Sequence, residues 1–216
     1  MQRFKKQVVL VLFVTIIVSL VTSCTQANYT EGLEFELSED RTYYVVTGIG
    51  KAKGSADGRF DIKIPATYDD LPVKSIGNEA FYNCIGITSV KLPDSIEIIG
   101  EMAFYGCEKL GEVTIPEKLT QIKYGTFWNC YNLKEIMIPV NIKHIEKSAF
   151  LCTGLESVTI SDASIDIEEE AFSFCENLTK VDILKWDDDC NISTNAFYGC
   201  VNLKSITTPD GDIDLN

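Results

Sequence analysis

From Ile76 onward the apolar positions of the chain recur with a long period, far longer than the about 2 or 3.6 residues that mark an isolated strand or helix. Aligning on the dipeptide Ala80-Phe81 brings up Ala103-Phe104, Thr126-Phe127, Ala149-Phe150, Ala171-Phe172 and Ala196-Phe197, with phenylalanines 23, 23, 23, 22 and 25 residues apart. Five residues before each Phe stands an isoleucine, at Ile76, Ile99, Ile122, Ile145, Ile167 and Ile192. A cysteine follows two or three residues after the Phe, at Cys84, Cys107, Cys130, Cys152, Cys175 and Cys200, with the fourth unit one residue short. Then come Ile87, Leu110, Leu133, Leu155, Leu178 or Leu203, and an alternating pair such as Val90/Leu92, Val113/Ile115 or Ile136/Ile138.

A period this regular predicts a solenoid, because no single unit buries its own apolar side and each needs its neighbours. The alternating pair predicts a short strand with its apolar members inward, ended by proline at Pro93, Pro116, Pro139 and Pro209. In-register stacking makes these strands parallel, about 4.8 Å apart. The isoleucine before the Phe lies on a return segment, and Ala-Phe starts a short helical or 3₁₀ turn. The fifth unit lacks its proline after Ile183 and continues Leu184-Lys185-Trp186, which predicts a bulge or protruding loop.

The unit I-x-x-x-A-F-x-x-C-x-x-L-x-x-V-x-I-P resembles the BspA-type leucine-rich repeat of bacterial and protozoan surface proteins. The match is best from Ile76 to Pro139 and covers residues 73–209. The resemblance implies an α/β repeat solenoid, right-handed, with about six 23-residue units and short parallel strands. Residues 33–72 alternate like short strands around Tyr43 to Val46 and Phe60 to Ile64, and are expected to cap the first coil. The polar tail 210–216 offers no evident cap for the last.

Ahead of the repeat, Arg3, Lys5 and Lys6 precede an apolar run from Val8 to Val21 interrupted by Thr15 and Ser19. Fourteen residues fall short of the roughly 20 that cross a bilayer, so residues 1–23 read as a signal peptide. Val21-Thr22-Ser23-Cys24 resembles the lipobox of bacterial lipoproteins, which implies acylation of Cys24 and a lipidated tether over residues 24–32. The expected location is the bacterial cell envelope, lipid-anchored on the outer surface, with the membrane touched only through that lipid.

Composition narrows the function classes. The 216 residues are 45% hydrophobic and 24% charged, which excludes a disordered tail, a collagen or a polytopic membrane protein. With 32 acidic against 19 basic residues the net charge is -13, against a nucleic-acid binder. Removing the three basic residues of the signal leaves 16 basic against 32 acidic, a net of -16.

Candidate chemistry is sparse. The period turns six of the eight cysteines into a column of small buried thiols, the lipobox takes Cys24, and Cys190 alone breaks the spacing and is expected free or exposed. No cysteine pairs have the spacing of a tetrahedral zinc site, so no metal and no cofactor are expected. The single histidine, His144, reads as solvated, and with no nucleophile elbow the chain is not expected to be an enzyme. Glu168-Glu169-Glu170 and Asp187-Asp188-Asp189 read as solvated faces.

Two surfaces remain as binding candidates. One is the outward sheet face: Ser89 and Lys91, Glu112 and Thr114, Glu135 and Met137, Ser157 and Thr159, Lys180 and Asp182. The other is an aromatic stripe one residue after the phenylalanines, Tyr82, Tyr105, Trp128 and Tyr198, interrupted by Leu151 and Ser173. The resemblance implies a protein ligand, either a host extracellular-matrix or plasma protein or another bacterium's protein. An envelope scaffold binding a partner of the same cell is the other expectation.

Overall fold

The computed structural model describes residues 29–51, 58–161, 164–187 and 189–215. Two stacks of short strands run along it, one on each face of the coil. The first is the main sheet. It contains β3 (Phe60–Lys63), β6 (Ile87–Lys91) and β8 (Glu112–Val113), then β10 (Glu135–Ile138), β12 (Ser157–Ile160), β14 (Lys180–Ile183) and β16 (Ser205–Thr208). The second is the return sheet. It contains β2 (Tyr44–Gly48), β5 (Leu71–Ile76) and β7 (Ile98–Ile99), then β9 (Gln121–Ile122), β11 (His144–Ile145), β13 (Asp166–Ile167) and β15 (Asn191–Ile192).

Within each run the strands pair in parallel and like residues meet like. Ile136 faces Val158 and then Val181, and Ile138 faces Ile160 and then Ile183. On the return side Ile122, Ile145, Ile167 and Ile192 form one row. The inward members are almost all fully buried, as the alternation predicts.

The Ala-Phe segment differs from expectation. Among the described residues there is no helix of any kind; the segment is a run of turns. Backbone geometry explains why. The residue two before each Phe has positive φ in five units (Glu79, Met102, Gly125, Ser148, Glu170), and so does the residue two after it in all six (Asn83, Gly106, Asn129, Cys152, Phe174, Gly199). A helix cannot hold such residues, whereas alternating left- and right-handed conformers aim every second amide at the next coil. The amides of Phe81, Phe104, Phe127, Phe150 and Phe172 donate to carbonyls of Ala103, Thr126, Ala149, Ala171 and Ala196 at 2.7–2.9 Å. Those of Asn83, Gly106, Asn129, Cys152 and Phe174 do the same two residues on. The turn therefore carries a third ladder.

Inside that ladder the six phenylalanines stack with ring centroids 5.0–5.5 Å apart and nearly parallel planes. Five of them are fully buried, each worth about 1.5–3 kcal/mol of transfer energy. The thiols have a specific role beside them. Cys107, Cys130, Cys175 and Cys200 each donate to the carbonyl of the phenylalanine in the preceding coil (Phe81, Phe104, Phe150 and Phe172), at 3.0–3.3 Å.

The fourth unit corrects the cysteine alignment. Thr153, not Cys152, occupies the column, with its hydroxyl 3.0 Å from Cys175 Sγ. Cys152 sits instead at the positive-φ position held elsewhere by Asn or Gly, and is only half-buried. The missing residue falls after Thr153, where Gly154 takes the shortcut. A Cβ on Gly154 would lie 1.8 Å from the Tyr131 carbonyl oxygen, so only glycine fits. Cys84 is half-buried at the start of the column.

The ends are finished with antiparallel strands. Strand β1 (Glu34–Leu37) covers the free edge of β2, and β4 (Thr67–Tyr68) folds onto β5. Phe35, Tyr44 and Tyr68 pack together over this end, with Phe35 stacked on Tyr68 at 4.0 Å. The segment read from sequence as a polar tail forms β17 (Gly211–Asp214), which pairs with β16 and supplies the edge cover that the residues had not suggested. Among the described residues no pairing joins β7 to β9 or β8 to β10, so both sheets lapse at one coil junction. On the main sheet the in-register partners there would be Glu112 and Glu135, and like charges directly opposed weaken a pair.

Three outcomes follow from this packing. Phe127→Ala lowers the unfolding free energy by about 3–5 kcal/mol in urea melts, and Gly154→Ala lowers it by about 1–3 kcal/mol through the carbonyl clash; a neutral effect of either contradicts the packing. The third concerns pH. Burial pushes the Cys107 and Cys130 thiols well above their usual range, so they stay protonated in the fold. Their unfolded forms ionise from about pH 8.5, so the folded state holds more protons above that pH and stability falls as pH rises, by up to ~1.4 kcal/mol per pH unit for each thiol. Urea midpoints from pH 8 to 10 in reductant show this fall, and a Cys107→Ala/Cys130→Ala double variant flattens it.

Candidate functional site

Strand alternation sends the residues between the inward pairs to the outer main-sheet face. Lys91, Glu112, Thr114, Glu135, Met137 and Lys180 are exposed there; Ser89, Ser157, Thr159 and Asp182 are half-buried. Much of this face is satisfied by its own neighbours. Asp61 accepts from the hydroxyls of Thr88 and Ser89 at 2.6 and 2.7 Å, which holds its carboxyl below the usual carboxylate range. Lys180 pairs with Asp182 on the same strand, and Lys134 with Glu156 at 3.5 Å. Met137, 65% exposed, is the one apolar side chain among the ten candidates on this face. Shallow clefts flank the lapse between β8 and β10, one lined by Gly111, Val113, Thr114, Lys134 and the two glutamates.

The aromatic stripe is broken. Tyr82, Tyr105 and Trp128 lie on successive coils, with Tyr82 stacked on Tyr105 at 4.7 Å and Tyr105 edge-to-face with Trp128 at 5.1 Å. Tyr82 is 41% exposed, whereas Tyr105 and Trp128 are half-buried between coils. Ser173 is buried and donates to the Asn195 carbonyl, which separates Tyr198 from this group.

Sequence spacing missed the rest of the turn edge. Four residues after the phenylalanines stand Ile85, Tyr131 and Val201, all exposed, and Phe174 lies exposed at a positive-φ position beside Tyr198. The signal was available in the period, but only the turn geometry shows that large apolar side chains two and four residues after the Phe, at Phe174, Ile85, Tyr131 and Val201, are exposed as well. Six of the eleven large exposed apolar side chains of the described residues lie on this edge, so the apolar surface is concentrated there.

Other candidates are placed plainly. His144 is exposed, 3.7 Å from Asp166. Cys190 is a free thiol and half-buried, lining an open cavity of about 730 Å³ at the last coil with Trp186, Ile192 and Ile213. Among the described residues no three His, Cys, Asp or Glu side chains are grouped to hold a metal ion, and no helix is long and apolar enough to cross a membrane. Cys24, Asp188 and the signal segment lie outside the described residues.

The sequence profile described as the BspA type leucine rich repeat region matches the chain in six copies, over residues 74–204 and 187–215. No curated protein matches it. Among solved structures, a leucine-rich repeat protein from Bacteroides ovatus ATCC 8483 superposes with a TM-score of 0.68 at 31% identity, over 82% of this chain and 45% of that one. A leucine rich repeat protein of T. pallidum gives 0.68 at 26% identity, over 83% and 81%. The pneumococcal vaccine antigen PcpA shares the fold at 0.64 with 21% identity, over 80% and 40%. The chain thus spans less than half the length of the Bacteroides ovatus protein. With its parallel ladders, its phenylalanine stack and six profile copies, the chain belongs to the BspA-type leucine-rich-repeat family.

Proposed function

We propose that this chain is a non-enzymatic, lipid-anchored protein of the bacterial outer surface that binds another protein through its repeats, as an adhesin does. The observation that carries the reading is the concentration of exposed aromatic and aliphatic side chains on the turn edge. A solenoid with no partner gains nothing from holding Tyr82, Tyr131, Phe174 and Tyr198 in water, and exposed aromatic residues gathered on one edge mark interfaces. The family supplies the binding character; the lipobox-like Val21-Thr22-Ser23-Cys24 supports the anchor. Host matrix or plasma proteins and proteins of other bacteria are the ligands in view. The net of -16 after the signal favours partners that are not themselves acidic.

Solid-phase binding of the full lipidated chain to a panel of such proteins is expected to be saturable, with Trp128→Ala weakening it by about 2 kcal/mol or more and Glu135→Ala by less. If no panel member binds and a pull-down from native membranes returns one stoichiometric envelope partner, the chain is a scaffold of its own cell instead. The anchor is checked separately. Cys24→Ser is expected to abolish incorporation of labelled palmitate and to move the chain from the membrane fraction to the soluble one.

A further inference from the structure

We propose that the second and third coils form a receptor for a cationic side chain, an arginine or lysine on a loop of the partner protein, with Glu108 as its acceptor and Tyr131 as its aromatic wall. This rests on the protein-binding reading above and names the chemistry of its partner. The turn places Ile85, Glu108 and Tyr131 at one position of three successive coils, four residues after Phe81, Phe104 and Phe127. The register is fixed locally: the Glu108 amide donates to the Gly106 carbonyl at 2.8 Å, and the Asn132 amide donates to the Glu108 carbonyl at 3.2 Å. Tyr82, Tyr105 and Trp128 form the neighbouring row and pack against one another. One carboxylate is therefore set among aromatic and aliphatic side chains.

Tyr131 connects the two rows. Partial burial raises its hydroxyl above the usual range, with Cys152, Glu108 and Tyr105 close enough to add to the shift. Tyr131 is nonetheless 49% exposed, and its ring pairs with no other aromatic ring among the described residues, so it is accessible to a partner. The rings of Tyr82 and Tyr105 are turned against each other and offer edges.

The charge is unanswered. Among the described residues Lys74 pairs with Glu97, Lys134 with Glu156, Lys147 with Glu169 and Glu170, Lys180 with Asp182 and His144 with Asp166, and none of these pairs includes Glu108. Glu79 and Glu101 lie exposed on the same edge. A guanidinium or ammonium over the Tyr131 face gains the ring quadrupole and the Glu108 carboxylate together, which neither an apolar nor an anionic side chain does. Guanidinium fits better, because its plane stacks on the ring while its edge donates to the carboxylate.

The test uses the two tryptophans of the chain. With the full chain labelled at the indole nitrogens, acetyl-Gly-Arg-Gly-Lys-Gly-amide is titrated by NMR. The Trp128 signal is expected to shift saturably while that of Trp186 stays in place. Glu108→Gln is expected to weaken the peptide about fivefold or more, whereas Glu117→Gln, which removes an equal charge from an exposed position after Pro116, leaves it unchanged. No shift of Trp128, equal losses in the two variants, or tighter binding by choline than by the peptide each overturns the proposal. Saturable solid-phase binding alongside a silent titration refutes this receptor and leaves the protein-binding reading standing.

Discussion

Everything in this molecule depends on identical residues stacking on themselves from coil to coil. The phenylalanine column shows the constraint most clearly. Rings 5.0–5.5 Å apart with parallel planes require each coil to repeat both the position and the rotamer of the one before. The turn ladder and the thiol-to-carbonyl bonds enforce that repetition along the same side. A thiol suits the column because it is small and apolar enough for the core and still donates weakly to a carbonyl that the turn has already engaged. Thr153 takes the same place with a hydroxyl that lies 3.0 Å from Cys175 Sγ, so the fourth unit keeps a small hydrogen-bonding side chain in the column.

The period made the coil count, the strand positions and the inward rows legible before any coordinates. The failures share a cause. Spacing alone aligned Cys152 with the other cysteines, because residue type outweighed backbone conformation; φ at Cys152 matches Asn83 and Asn129 instead. The helical or 3₁₀ turn was expected because Ala-Phe within an apolar run looks helical, yet the demand for inter-coil hydrogen bonds selects alternating conformers. Strand β17 was hidden because Asp212 and Asp214 suggest solvent, although Ile213 between them packs against the core beside Ile206. Once strands alternate faces, such a segment is an ordinary edge strand whose charges face water.

The candidate surfaces divide the same way. Position in the repeat identified the outward sheet residues but could not show that several are tied up by their neighbours, as Asp182 is by Lys180. It found Tyr82, Tyr105 and Trp128 but not Ile85, Tyr131 and Phe174, whose exposure follows from turn geometry. The apolar surface left for a partner thus lies on the edge that also carries the third inter-coil ladder.

That coincidence has a mechanical side. Both sheet ladders lapse between the second and third coils, where the turn side supplies the Phe104–Phe127 stack, the Tyr105–Trp128 contact and hydrogen bonds from the amides of Met102, Phe104, Gly106 and Asn132. Tyr105 and Trp128 consequently do two things at once: they hold the junction and they flank the proposed receptor. Removing either ring loosens the joint as well as the surface, so a loss of binding on its own would not separate the roles. Glu108 is free of this ambiguity, since its side chain bridges no coils and its backbone bonds survive a change to glutamine. A partner seated across Ile85, Glu108 and Tyr131 would span the junction on its bonded side and would resist its opening. The surface offered to the ligand therefore lies over the one junction that both sheet ladders leave unpaired among the described residues.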